Sequence, residues 1–157
     1  MPENLDEFPA DFIKFDVEGI PSPGGSKRYM GKSRRGVPIL VDMGGIRTKH
    51  WRAAVWAAGM AVRPAVLWTG PLRLDVLFRM PRPDIHYRFH KGKPPQLRPE
   101  APTLHTLTPD TTKLLRSTED ALKEVIWRDD SQICRQYAEK VYSANPGATI
   151  TITRLNP

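Results

Sequence analysis

Leu72-Arg73-Leu74-Asp75-Val76-Leu77-Phe78 sets Leu72, Leu74, Val76 and Phe78 on one side of an extended chain and Arg73, Asp75 and Leu77 on the other. This is the period-two pattern of a strand with one face in a core. Upstream, Arg47 to Val62 places Trp51, Ala54, Val55, Ala58 and Val62 at helical spacing and closes at Arg63-Pro64. Downstream, Thr108-Pro109 predicts an N-cap and a first-turn proline for a second helix over Pro109–Ile126, with Leu114, Thr118, Ala121, Leu122 and Val125 as its apolar stripe. Phe12 to Val17 and Val37 to Val41 read as earlier strands. Ser131 to Tyr142 and Ala148 to Leu155 read as a closing hairpin that turns at Asn145-Pro146-Gly147. The order β β α β α β β predicts an α+β fold: a single domain with a mixed β-sheet and two helices packed on it.

A chain of 157 residues is enough for one such core without disulfides or structural metal. The expected domain spans 12–157, preceded by a flexible acidic leader at 1–11 and interrupted by a long basic loop at 81–107 that holds six prolines. A loop of that length points to function or disorder. The single cysteine, Cys134, excludes an internal disulfide and multi-thiolate zinc motifs, so a reducing, cytoplasmic setting is expected, with Cys134 a small buried residue. The longest apolar run, Ala53 to Val62, is well short of the roughly 20 residues of a membrane span, and the acidic N-terminus is unlike a signal peptide. Trp51, Trp56 and Trp68 are expected in the core.

Net charge is +7, unevenly distributed. Residues 1–18 sum to −5, residues 24–63 to +8, residues 79–98 to +5, and the remainder from Pro99 to −1. Acids in that last part gather at Glu119-Asp120 and Asp129-Asp130. A basic body around concentrated carboxylates suggests a phosphate-binding surface surrounding an acidic pocket able to hold a divalent metal. Candidate backbone-binding residues are Lys27, Arg28, Lys32, Arg34 and Arg35 in one cluster, and Arg79, Arg82, His86, Arg88, Lys91 and Lys93 in the other. The first cluster reads equally as a solvated hairpin. Tyr87 and Phe89 interleave with Arg88 and Lys91, a pattern suited either to exposed bases or to anchoring of the loop. His86 and His90 suit a metal only on a helix, which Pro83 argues against.

The run Thr108-Pro-Asp-Thr-Thr-Lys-Leu-Leu-Arg-Ser-Thr-Glu-Asp-Ala-Leu, followed by Trp127-Arg-Asp-Asp-Ser-Gln-Ile, puts acids, Lys113 and Arg116 off the apolar stripe. Phosphodiester hydrolysis needs carboxylates to hold Mg2+ or Mn2+ and cations to bind the scissile phosphate. The same residues also suit plainer roles: Asp110 as a helix-dipole partner, and Lys113, Arg116 and Asp120 as a solvated face.

The segment resembles the signature of the RusA family of Holliday junction resolvases, particularly its phage and prophage members. It does so through Pro109-Asp110, Lys113-Leu114, Arg116, Asp120-Ala121-Leu122 and Asp129-Asp130-Ser131-Gln132-Ile133. The resemblance implies a Mg2+- or Mn2+-dependent endonuclease that makes paired cuts in branched DNA as a homodimer, in a bacterial or phage-infected cell. It implies metal-binding roles for Asp110 and Asp130 and phosphate or transition-state roles for Lys113 and Arg116. Asp120 and Asp129 occupy motif positions and, with Thr112 and Glu119, are the further candidates for the metal. Thr112 stands where the family has a second aspartate, which points to an alternative: a weakened or inactive branched-DNA-binding protein. Glu119 lies on nearly the same stripe as Thr112 but about 10 Å along the axis. A helix continuing to Ile126 would hold Asp110 and Asp130 some 25 Å apart. That separation demands either a shorter or bent helix, or a site shared between two subunits.

Overall fold

A computed structural model describes residues 11–24, 27–42 and 45–156. Its main sheet is built around β4 (Leu72–Pro81), where Leu72, Leu74, Val76, Phe78 and Met80 are buried and the residues between them are half-buried. β4 pairs in parallel with β7 (Ile133–Ser143) and antiparallel with β8 (Gly147–Arg154), and β8 pairs antiparallel with β1 (Phe12–Glu18). The order is therefore β1-β8-β4-β7.

The expected closing hairpin is corrected by this order. β7 and β8 are joined by a turn, but β4 lies between them. Composition explains the placement. β8, GATITITR, is uncharged until its last residue and buries Ala148, Ile150 and Ile152, so it takes two neighbours. β7, with Arg135, Glu139 and Lys140, takes the edge, where charges block further pairing.

Both helices join the core on the face carrying Leu72, Leu74, Val76 and Phe78. α1 (Gly45–Ala61) contributes Trp51 and Val55; α2 (Thr111–Leu122) contributes Leu114, Leu115, Ala121 and Leu122. Trp51 Nε1 donates to Thr118 Oγ1 at 3.4 Å, and Arg52 pairs with Asp120 at 2.9 Å, so the helices are joined by polar contacts as well as by packing. Gly59 marks their closest approach: a Cβ there would lie 2.7 Å from Leu122 Cδ2 and 3.3 Å from Val125 Cγ1.

The second helix is shorter than its pattern predicts. Asp110, not Thr108, is the N-cap, and the helix stops at Leu122 instead of Ile126. Glu124 adopts a left-handed φ of 62°, and its amide donates to Trp127 O at 2.7 Å, which reverses the chain. Val125, Ile126 and Trp127 are buried within that reversal. The apolar stripe reports burial, which here continues beyond the helix.

The basic segment after β1 forms a separate ribbon of β2 (Lys27–Lys32) and β3 (Pro38–Asp42), turning at Ser33–Gly36. The long loop carries a 3-10 turn at Asp84–His86 and a two-residue ribbon of β5 (Tyr87–Arg88) with β6 (Gln96–Leu97). Two core expectations fail. Trp56 is 52% exposed because it faces away from the sheet while Trp51 and Val55 face it, and Cys134 is exposed on the edge strand. The leader at 1–10 lies outside the described residues, and among those described no helix is long and apolar enough to cross a membrane.

Because Leu122 is fully buried and has no room to yield, Gly59→Val is expected to destabilise the fold by about 1–3 kcal/mol, measured by denaturant unfolding.

Candidate active site along the second helix

Parallel neighbours cannot be joined by a tight turn, so the chain from β4 to β7 must cross over the sheet, and α2 lies in that crossover. α2 and β7 then run side by side in opposite directions, tied at two points. Lys140 Nζ donates to the carbonyls of Leu107 at 2.7 Å and Pro109 at 2.8 Å. Three turns further along the helix, Gln136 Nε2 donates to Glu119 Oε1. The two spacings agree: ten helical residues at about 1.5 Å and four strand residues at about 3.3 Å both cover roughly 13–15 Å.

Asp110 sits at the start of this seam. Its backbone is extended and its carbonyl accepts from Leu114 N at 3.1 Å, as an N-cap should, but its carboxylate makes no capping hydrogen bond. That carboxylate is exposed, with Lys113 Nζ 3.7 Å away. Thr112 and Arg116 are exposed on the following turns. The helix start thus presents an acid and two cations to solvent.

The Asp129-Asp130-Ser131-Gln132 segment divides its work. Asp129 Oδ1 accepts from Ser131 N at 2.9 Å, and Gln132 Oε1 accepts from the amides of Arg128 and Asp129 at 3.0 and 2.9 Å, a reciprocal capping box. Gln132 Nε2 reaches back to the carbonyls of Trp68 and Gly70 at 2.9 and 3.1 Å. The Ser131 amide holds the Asp129 carboxyl below the usual range, assisted by Lys123 at 3.7 Å. Asp130, half-buried, is held by Trp127 Nε1, which donates to its Oδ1 at 2.9 Å. Asp129 therefore shapes the turn, and Asp120 pairs with α1 through Arg52.

Asp130 comes close enough to act on Glu119. The Glu119 carboxyl is pushed up to about 7, first by its own burial, then by the charges of Asp130 and Asp120. The helix ends at Leu122 and the chain reverses at 123–127, which brings Asp130 to Glu119 but leaves Asp110 about 13 Å away along α2. Among the described residues, no three Asp, Glu, His or Cys side chains converge as a ready-made metal cage.

The basic candidates separate into two kinds. Arg79 is occupied by Thr149, Asp16 and the Asn145 carbonyl, and Arg82 by the Pro102 carbonyl and the face of Tyr142. His86 packs edge-on against the same Tyr142 ring, at 4.8 Å. By contrast, Arg28, Lys32, Arg34 and Arg35 on the β2–β3 ribbon, and Arg88, Lys91 and Lys93 in the long loop, are exposed. The Lys27 side chain lies outside the described residues. Tyr87 and Phe89 lie 6.3 Å apart, with Phe89 61% exposed.

Sequence reasoning missed Lys140, Gln136 and Trp127. The available signal was the period of two in β7, which puts Gln136, Ala138 and Lys140 on one side of the strand, the side facing α2.

A raised carboxyl pKa means the folded state holds the Glu119 proton more tightly than the unfolded chain does. This group therefore contributes most to stability below about 4.5, and the contribution is lost as pH rises towards 7. Glu119→Gln, which mimics the neutral form, should raise Tm more at pH 8 than at pH 5 relative to the unmodified protein; equal shifts at both pH values would contradict this.

Comparison with known proteins shows the family of the chain. A Bacillus subtilis (strain 168) protein described as "Uncharacterized protein YqaN" is 29% identical over 150 residues, covering 93% of this chain and 99% of the relative. The profile of the family described as Endodeoxyribonuclease RusA matches residues 22–153, taking in the α2 seam, the Asp129-Asp130 turn and the whole β4–α2–β7 crossover. The chain belongs to the RusA endodeoxyribonuclease family.

Proposed function

We propose that this protein is a divalent-metal-dependent endonuclease that resolves four-way DNA junctions by paired phosphodiester cleavage, with the α2–β7 seam as its active site. The observation that carries the reading is the Asp110 carboxylate. It stands at a helix start with no capping bond to occupy it, beside Lys113 and on a backbone held from below by Lys140.

The donor chemistry fits Mg2+ or Mn2+. Asp110 and Asp130 offer oxygen ligands only, the choice of hard cations. A cation near Asp130 would also relieve the repulsion that raises the Glu119 carboxyl. Mg2+ commonly takes one or two protein carboxylates and completes its shell with water and substrate phosphate, so two acids without a third suffice. When bound, such a metal lowers the pKa of water and offsets phosphate charge. The remaining roles belong to the chain itself. Lys113 and Arg116 bind the scissile phosphate and the charge that develops on it. Lys140 fixes the 107–109 backbone and hence the position of Asp110. Trp127 orients Asp130. Asp120 and Asp129 serve the surrounding structure, and Glu119 borders the site.

A four-way junction has two-fold symmetry, which a homodimer matches with one site per subunit. The reversal brings Asp130 to Glu119, about 13 Å along α2 from Asp110, so a single ion held by both acids draws them from opposite subunits. The exposed cations of the β2–β3 ribbon and the long loop would track the DNA arms. A second reading, junction binding with weakened cleavage, is favoured by Thr112, which is exposed on α2 with a hydroxyl in place of a carboxylate.

Incubation with a synthetic four-way junction and a matched duplex, with and without Mg2+, separates these readings: cleavage supports the first, and binding without cleavage the second. Asp110→Asn and Asp130→Asn should each lower cleavage at least about a hundredfold while preserving junction binding. An equimolar mixture of the two variants should regain nicking through one intact site per heterodimer, whereas a heterodimer that forms yet stays inactive would place both acids in one chain. Neutralising Lys91 and Lys93 together should reduce the slope of log affinity against log salt by up to about two. An unchanged slope would remove the long loop from the DNA.

A further inference from the structure

A cavity of about 390 Å³ opens directly beside Asp110, between the ends of β4, α1 and the α2 entry. Its walls include Pro21, Pro23, Pro81 and Pro109, whose flat pyrrolidine rings leave few polar atoms, together with Met80. The backbone around it is already satisfied: Thr48 Oγ1 donates to the Pro23 carbonyl at 2.8 Å, and Ser22 Oγ to the Ile20 carbonyl at 3.2 Å. His105 differs. Its ring lines the cavity, while its Nδ1 is shut off from solvent and has no hydrogen-bond partner among the described residues. Arg47, exposed, stands at the rim.

These features describe a site for a small, flat, mostly apolar group with one polar edge. The volume lies at the low end of small-ligand cavities, about 300–1,000 Å³, enough for one nucleotide and far too small for a duplex. We propose that this cavity receives a single unstacked base of the strand being cut, packed against the proline walls and met at its edge by His105, while Arg47 contacts a neighbouring phosphate. The proposal rests on the reading of the seam as a junction nuclease, because Pro109 links the cavity wall directly to Asp110.

Burial, and then the charge of Lys140, hold the His105 imidazole below its usual range, so near neutral pH it meets the base as an uncharged ring, with Nε2 the nitrogen left to reach it. Bases at the crossover of a junction are the ones least costly to unstack. A base drawn into this cavity would align its own backbone with Asp110 and would make cleavage depend on base identity at that position.

The test is junction binding by the Asp110→Asn protein, with a single abasic residue walked across the crossover. One position per cut strand should weaken binding roughly 5- to 100-fold, the loss of one stacked base. Thr108 lines the cavity with an exposed side chain, so Thr108→Trp can block the cavity without disturbing the core. In that background intact and abasic junctions should bind alike, and His105→Ala should flatten the preference among the four bases at the sensitive position. Tight binding of the intact junction with no sensitive position overturns the base pocket and leaves the nuclease reading standing. A sensitive position that persists in Thr108→Trp places the base elsewhere and also overturns the pocket. Failure to bind any junction overturns both.

Discussion

The parallel pairing of β4 with β7 is the constraint from which the rest of the molecule follows. Strands that run the same way cannot be joined by a tight turn, so the chain must leave the end of β4, cross the sheet and return to the start of β7. The long basic loop makes the outward part of that journey and α2 the return. Because α2 ends only a short reversal before β7 begins, helix and strand lie antiparallel and adjacent. Lys140 and Gln136 of the strand therefore meet Pro109 and Glu119 of the helix. A half-buried ammonium that donates to two carbonyls is a strong way to hold a loop entry, since charge-assisted hydrogen bonds exceed neutral ones and a partly buried cation needs its partners.

The crossover also explains how Glu119 and Asp130, eleven apart in sequence, come into one electrical neighbourhood. The left-handed Glu124 turns the chain after α2, and Trp127, buried in that turn, fixes Asp130 beside Glu119, at the end of the helix away from Asp110. Three carboxylates then influence one another around Glu119, and burial with their repulsion holds a proton there at higher pH than usual. The surrounding cations differ in what they can offer. Arg79 and Arg82 are committed to internal partners, whereas those of the ribbon and the long loop remain exposed to any polyanion.

In the paired aspartates, one residue shapes the turn that holds the other in place. Asp129 and Gln132 close a capping box and pin the turn to the Trp68–Gly70 segment, so the backbone on either side of Asp130 is held in place. Precise placement of an acid depends on such a shell of hydrogen-bonded neighbours. The membership in the RusA family and the local geometry agree on the same segment, although Thr112 departs from the pattern at one position.

Much was legible in the sequence because it is local. The period of two in Leu72–Phe78 and the apolar stripe of α2 depend on neighbours within a few residues, and from them came the α+β class with two helices on a mixed sheet, while the resemblance to the RusA signature singled out Asp110, Lys113, Arg116 and Asp130. What pairing and packing decide was not legible. β8 lies between β1 and β4 rather than beside β7 because its uncharged strand needs two neighbours, a competition among strands far apart in the chain. The end of α2 at Leu122 was hidden because Val125 and Ile126 continue the apolar pattern in a buried turn, where burial and helicity part. Lys140, Gln136 and the cavity at His105 exist as functional features only once the crossover has laid β7 along α2, since no spacing within the sequence brings Lys140 to Pro109.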